Sequence, residues 1–92
     1  MTEDGYELIV ARPAARAIAE TLSQPVAAAV IDFITGSLLE KPRRAGCELR
    51  NELAGIHSAR RGSYRILYRI NEKERAATVL RVDRRGDVYR TT

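Results

Sequence analysis

From Tyr64 to Asn71 apolar and polar positions alternate one by one, with Tyr64, Ile66, Tyr68 and Ile70 on one parity and Arg65, Leu67, Arg69 and Asn71 on the other. A period of two places the sets on opposite faces of a strand, one covered and one open, so Arg65 and Arg69 belong to the open face. Upstream, Ile56 to Arg61 alternates loosely and joins this strand through Gly62-Ser63, a tight turn. Downstream, Asn71 to Arg75 is a polar turn, and Ala76 to Asp83 supplies the third member of a meander.

The first half of the chain has another period. Tyr6 to Ala11 is short and rich in branched residues, a first strand stopped by Pro13. Ala14, Ala17, Ile18, Thr21 and Leu22 recur at helical spacing with Arg16 and Glu20 opposite, which predicts an amphipathic helix over 13–22. Ser23 is placed to cap a second helix whose first turn holds Pro25. Val26, Val30, Phe33, Ile34 and Ser37 form its stripe, and it is expected to end near Leu39, before Lys41-Pro42. The expected architecture is α+β in two layers: order β-α-α-β-β-β, a helical hairpin packed on one face of a small antiparallel sheet.

Length and composition limit what this unit can be. A chain of 92 residues is one domain, 1–92, with residues 1–4 expected to be disordered. It can bury roughly 60–65% of its unfolded surface, enough for a single core. Cys47 is the sole cysteine, so no intrachain disulfide forms and zinc spacing is absent; a small apolar role in a reducing cytoplasm fits it. The apolar run Val26–Ile31 is far shorter than the roughly 20 residues a membrane span needs, and Thr2-Glu3-Asp4 is acidic where a signal peptide is basic. The reading is a soluble, unprocessed protein with no membrane partner.

Charge changes the picture most. Residues 1–46 hold 5 Lys/Arg against 6 Asp/Glu, net −1, and residues 47–92 hold 11 against 6, net +5. The whole basic excess lies in the half that carries the meander, which points to a polyanionic partner.

Three motifs now stand in order: Leu49-Arg50-Asn51-Glu52-Leu53-Ala54-Gly55, Arg60-Arg61-Gly62-Ser63-Tyr64-Arg65-Ile66-Leu67-Tyr68, and Arg84-Arg85-Gly86-Asp87-Val88-Tyr89. Together with the element order they resemble the RelE/ParE superfamily of bacterial toxins, over nearly the whole chain. The resemblance implies a toxin of a type II toxin–antitoxin pair. For the RelE branch it implies a ribosome-dependent endoribonuclease acting on translated mRNA, and for the ParE branch an inhibitor of DNA gyrase. It also implies that the first strand lies beside the last. Carried over by position, Arg65 matches the arginine set against the scissile phosphate, Arg85 the second, transition-state arginine, and Tyr89 the aromatic that stacks on or orients the substrate. Arg60, Arg61, Arg69, Arg81, Arg84 and Arg50 are expected to contact RNA. Ile56 and Ser58 depart from the pattern, standing where the best-studied enzymes have lysines, one of them the proposed base.

The chemistry is consistent with these roles. RNA cleavage requires a 2′-hydroxyl to lose its proton, the phosphorane's added charge to be held, and the 5′-oxygen to leave protonated. An arginine fork grips phosphate oxygens bidentately and stays charged, which suits the second task and disqualifies it from the first. His57 is the one near-neutral side chain, but its parity turns it away from Ser58 and Arg60, so a structural role is expected. Tyr64 and Tyr68 share parity with the core set, whereas the polar run before Tyr89 places that ring at an edge where it can stack on a base. Arg50, Arg43 and Arg44 are candidates for further phosphate contacts, although a charged loop is usually just solvated, and the face of Arg81 depends on a strand register that the sequence leaves open. Neither a paired-carboxylate motif nor a nucleotide-cradling loop is visible, so a metal-independent mechanism without cofactor is expected. The expected partners are a small, acidic, partly disordered antitoxin, the ribosome and mRNA. Gyrase inhibition, or antitoxin binding alone in a catalytically weak toxin, are the alternatives.

Overall fold

The computed structural model describes residues 6–50 and 55–84, the last of these by its backbone alone. The expectation of disorder at residues 1–4 lies outside the described residues. Strand β1 (Glu7–Val10) leads into α1 (Arg12–Arg16), which continues as one π-helical turn (Ala17–Thr21). Helices α2 (Gln24–Thr35), α3 (Ser37–Glu40) and α4 (Pro42–Ala45) follow, then β2 (Cys47–Glu48), β3 (Ile56–Arg61), β4 (Tyr64–Asn71) and β5 (Ala76–Arg84). The five strands form one sheet in the order β1-β5-β4-β3-β2. The expected helical layer and meander are present, and the first strand does lie beside the last.

The sheet departs from the expected form in two respects, the first being a short additional strand, β2, at its edge beside β3. In the second, strand β1 pairs with β5 in parallel, while the other pairs are antiparallel, so the sheet is mixed. A parallel neighbour needs a crossover, and here all the intervening chain supplies it. The helices also differ in detail. At the end of the first, the Leu22 amide donates to the Ala17 carbonyl five residues back at 3.0 Å, and Leu22 is thereby brought into the core. The second helix does not run to Leu39: Gly36 adopts φ −114°, ψ −93°, the helix stops at Thr35, and a separate turn begins at Ser37, which is exposed instead of lying on the apolar stripe. Ser23 is the N-cap residue by position but makes no side-chain capping bond.

The covered face of the sheet contributes Ala59, Ile66, Tyr68, Val79 and Val82 to the core, and the helices contribute Ala14, Val30, Phe33, Ile34 and Leu38. Tyr68 is fully buried, and its hydroxyl donates to the Pro42 carbonyl at 2.6 Å. Burial, with the Cys47 thiol a lesser cause, pushes the Tyr68 phenol up to about 12, so at neutral pH it remains a donor. Just beyond α4, Gly46 lies so close to β3 that a Cβ there would meet the Ser58 carbonyl oxygen at 2.5 Å and the Tyr68 hydroxyl at 2.9 Å. On the outer side of α4 the Arg43 Nε donates to Glu72 Oε2 at 2.8 Å, and the Tyr6 hydroxyl donates to Glu72 Oε1 at 2.7 Å. These bonds hold Glu72 below the usual carboxylate range, the Tyr6 bond being the largest cause. The short helix α4, which carries Arg44, is thus held at Pro42 and at Arg43.

Candidate nucleic-acid interface

The open face of the sheet is built by register. Arg60 stands opposite Arg65, Ser58 opposite Leu67, and Ile56 opposite Arg69 across β3 and β4. On the other side Arg65 stands opposite Asp83, Leu67 opposite Arg81, and Arg69 opposite Thr78. A bulge between Leu67 and Tyr68 inserts Leu80 as an extra residue, so Val79 and Val82 both reach the core and Arg81 falls on the open face. That settles the register on which the face of Arg81 depended. Its Nε pairs with Asp83 Oδ2 at 2.8 Å.

At the β2 edge the open face deepens into a groove of about 440 Å³ lined by Arg44, Gly46, Cys47, Ser58, Arg60 and Arg65, with Ala45, Leu49 and Ala59 as its apolar walls. Arg65 comes from β4, Arg60 from β3 and Arg44 from α4, so three separate elements bring guanidinium groups to one recess. Among the described residues that line the groove, none is a carboxylate. Among the described residues neither Arg44 nor Arg60 forms an ion pair. Arg65 is only 9% exposed, so its charge is expressed where water is largely excluded and is screened less than a surface charge would be.

The other basic positions divide. Arg69 is exposed on the open face, and Arg50 is exposed beyond β2. Arg84 is paired by backbone with Tyr64 at the end of β5. Arg61 is turned the other way: its guanidinium lies 4.4 Å from the centre of the Phe33 ring, at the border of the helical layer, away from the groove. Arg85 and Tyr89 lie outside the described residues. Arg44, for which the sequence favours a solvated loop charge over a phosphate contact, is part of the groove; the sequence does not show this because the residues that seat α4 against the sheet are far apart along the chain. The signal that could have found it is Pro42 followed by Gly46, a capped helical turn ending on a glycine able to approach a strand.

His57 is 6% exposed and faces the core, its ring stacked on Tyr68 with 5.4 Å between centres and 25° between planes. Burial lowers its pKa, outweighing the attraction of Glu48, so it is neutral near pH 7. Facing away from the groove, it is no base for a reaction there. No group of three or more His, Cys, Asp or Glu poised to hold a metal occurs among the described residues.

The comparisons with known proteins agree with this architecture. Residues 9–89 match the model of the family described as ParE toxin of type II toxin–antitoxin system, parDE. The chain is 52% identical to Toxin RelG of Mycobacterium tuberculosis over 65 residues, 71% of this chain and 75% of the relative. It is 40% identical to Toxin RelE of the same organism over 85 residues, 92% of this chain and 87% of the relative. Among solved structures, the toxin–antitoxin complex RelBE2 from M. tuberculosis contains a chain that superposes with a TM-score of 0.82 at 43% identity, covering 88% of this chain and 99% of that one. The isolated RelE toxin of E. coli shares the fold, with a TM-score of 0.73 at 22% identity and 92% of both chains covered. The chain belongs to the ParE toxin family of type II toxin–antitoxin systems, and within the RelE/ParE superfamily it stands with the RelE-like toxins.

Proposed function

We propose that this toxin is a RelE-like endoribonuclease that cleaves translated mRNA on the ribosome by attack of a 2′-hydroxyl on the adjacent phosphate. The observation that carries the reading is the convergence of Arg44, Arg60 and Arg65 on a recess that holds no carboxylate among the described residues. Such a recess attracts a phosphate and, more strongly, the phosphorane that carries one more negative charge. Arg65, nearly buried, is the group set against the scissile phosphate. Arg85 and Tyr89 are proposed to complete the site from the C-terminal segment, as the transition-state arginine and the stacking aromatic. Arg69 and Arg81 extend the RNA contact along the open face, and Arg50 and Arg84 are proposed to add contacts from beyond β2 and from the end of β5.

The groove supplies charge and no evident base: His57 faces the core, and Ile56 and Ser58 stand where lysines would be expected. Cleavage then depends on orientation supplied by the ribosome, an effect worth roughly 7–11 kcal/mol of barrier when alignment is complete. The free toxin is held in check by an antitoxin, small and acidic, that folds onto it. The RelB–RelE complexes among its structural neighbours support this partner.

The matching family model bears the ParE name, and the ParE branch of the resemblance implies a second reading, inhibition of DNA gyrase. One experiment separates the two. Purified toxin is added to a translating extract, 5′ ends are mapped on the mRNA, and gyrase supercoiling is measured in parallel. Cuts within the decoding-site codon are expected, with supercoiling unaffected; intact mRNA with blocked supercoiling assigns the chain to gyrase, and neither effect leaves antitoxin binding as its retained activity.

A further inference from the structure

Strand β1 pairs with β5 from Ala76 to Val79, so among the described residues the edge of β5 beyond Val79 has no strand partner there and α1 approaches it instead. Between them lies a cleft of about 560 Å³, larger than the groove, lined by Arg12, Pro13, Arg16, Ala17, Thr21, Arg81, Val82 and Asp83. Arg12 and Arg16 are four residues apart, one helical turn, so like charges stand side by side on one face of α1. Neither forms an ion pair among the described residues. Among the described residues the cleft's one acid, Asp83, is already bonded to Arg81 at 2.8 Å.

We propose that the cleft between α1 and the end of β5 is a second binding site for RNA phosphates, separate from the Arg65 groove. The inference rests on the RNA reading of that groove. Three guanidinium groups around one committed carboxylate leave an uncompensated positive charge that an anion relieves, and phosphate oxygens fit the arginine forks. Pro13, Ala17 and Val82 offer apolar contact for a ribose or base. Placement favours RNA over an acidic protein. Asp83 on the cleft wall stands directly across from Arg65, so the cleft and the groove flank Arg65 from its two sides. A strand of RNA lying over Arg65 meets arginines on both flanks. The phosphates are either those of the strand in the groove or those of a second RNA segment docked beside it.

The test measures binding of the full chain to 2′-O-methyl oligoribonucleotides, which resist cleavage, by fluorescence anisotropy across a salt series. The probes are a dinucleotide, a decanucleotide, a short RNA hairpin and a glutamate-rich peptide. The Arg12→Ala/Arg16→Ala double variant is expected to bind the decanucleotide about tenfold more weakly, with a salt slope lower by about 0.7 for each phosphate that the variant no longer neutralises. Dinucleotide binding should be unchanged, whereas Arg60→Ala weakens both. If the double variant loses the hairpin and keeps the decanucleotide, the phosphates come from a second RNA segment. Wild-type affinity for decanucleotide and hairpin alike overturns the proposal, and loss of the peptide alone assigns the cleft to a protein partner. If wild-type protein binds neither dinucleotide nor longer RNA, the RNA reading of the groove falls and the cleft falls with it. Both arginines are exposed, so the melting temperature of the double variant should match wild type and exclude a folding defect.

Discussion

His57 and Arg65 sit on neighbouring strands at 6% and 9% exposure, yet they belong to opposite faces of the sheet and to different physics. On the covered face His57 adapts to burial by giving up its charge, and its ring becomes a packing partner of Tyr68. On the open face an arginine has no such option, because its guanidinium stays protonated throughout the working pH range. Burying it commits the protein to a fixed cation beside the groove. The covered face is therefore where stability should reside, and the open face where function should.

The largest expected effect comes from Arg65→Ala. Toxicity on induction should be lost, with cleavage reduced by at least about two orders of magnitude, as for other preorganised electrostatic groups. The sequence predicts an exposed side chain whose loss leaves stability within about ±0.5 kcal/mol, but burial at 9% corrects that, and truncation should cost about 1–2 kcal/mol. Arg65→Lys keeps the charge without the fork; activity near wild type in that variant would show that bidentate grip is unimportant. If Arg85 acts as a unit with Arg65, the double alanine variant should lose far less than the product of the singles. Independent losses would scatter the two over separate RNA contacts.

Next in size is the anchor of α4. Tyr68→Phe removes the buried 2.6 Å bond to Pro42 and leaves that carbonyl without its donor, a loss of about 1–3 kcal/mol read by chemical denaturation. Because α4 carries Arg44 to the groove, RNA affinity should fall as well, although Tyr68 faces the core. Gly46→Ala should be worse for folding, since its Cβ would run into the backbone of Ser58 as well as the Tyr68 hydroxyl. Unchanged RNA binding in a folded Tyr68→Phe variant would remove Arg44 from the site.

The same residues show what was legible in the sequence. Alternation identified the covered set Tyr64, Ile66, Tyr68 and Ile70 because a strand's faces are set by local parity. It placed His57 on the core side for the same reason. The bulge beside Leu67 was invisible, since an extra residue in β5 matters only against its partner, and so the face of Arg81 stayed open. The parallel pairing of β1 with β5 joins segments nearly the whole chain apart, and only the family resemblance suggested their adjacency. The groove was half legible: Arg60 and Arg65 follow from strand parity, but Arg44 depends on Gly46 meeting Ser58 and on Tyr68 reaching Pro42. Those are contacts between residues that no local pattern connects.

A smaller effect concerns pH. The folded pKa of His57 lies below the 6.5 of the unfolded chain, with burial the first cause. Above about pH 6.5 both states are neutral there and the histidine adds no pH dependence. Below it the unfolded chain takes up a proton that the fold refuses, so stability should fall as the pH drops toward the lowered folded value. His57→Gln should flatten the fall of the melting temperature that begins below about pH 6.5. A second decline is expected at lower pH, where Glu72 protonates; its folded pKa is also lowered, so the stability that it contributes is present above 4.5 and lost as pH falls below that value. An unchanged slope near pH 6 in His57→Gln would mean that the histidine is not protected by burial.

The smallest and sharpest contrast lies between adjacent residues, Arg60 and Arg61. They belong to one strand and differ by one position, so they stand on opposite faces. Arg60→Ala should weaken binding to non-cleavable RNA and lower its salt slope by about 0.7, with the melting temperature unchanged, because the side chain is exposed and forms no ion pair among the described residues. Arg61→Ala should do the reverse. It removes a cation held 4.4 Å from the centre of the Phe33 ring, an interaction worth about 0.5–1 kcal/mol at an exposed site, and should leave the RNA salt slope unchanged. The motif makes the two look equivalent, since either arginine next to Gly62-Ser63 is a candidate for RNA. Equal losses of RNA affinity in the two variants would mean that RNA wraps around the edge of the sheet onto the Phe33 side, and the division of labour between the faces would fail at this edge.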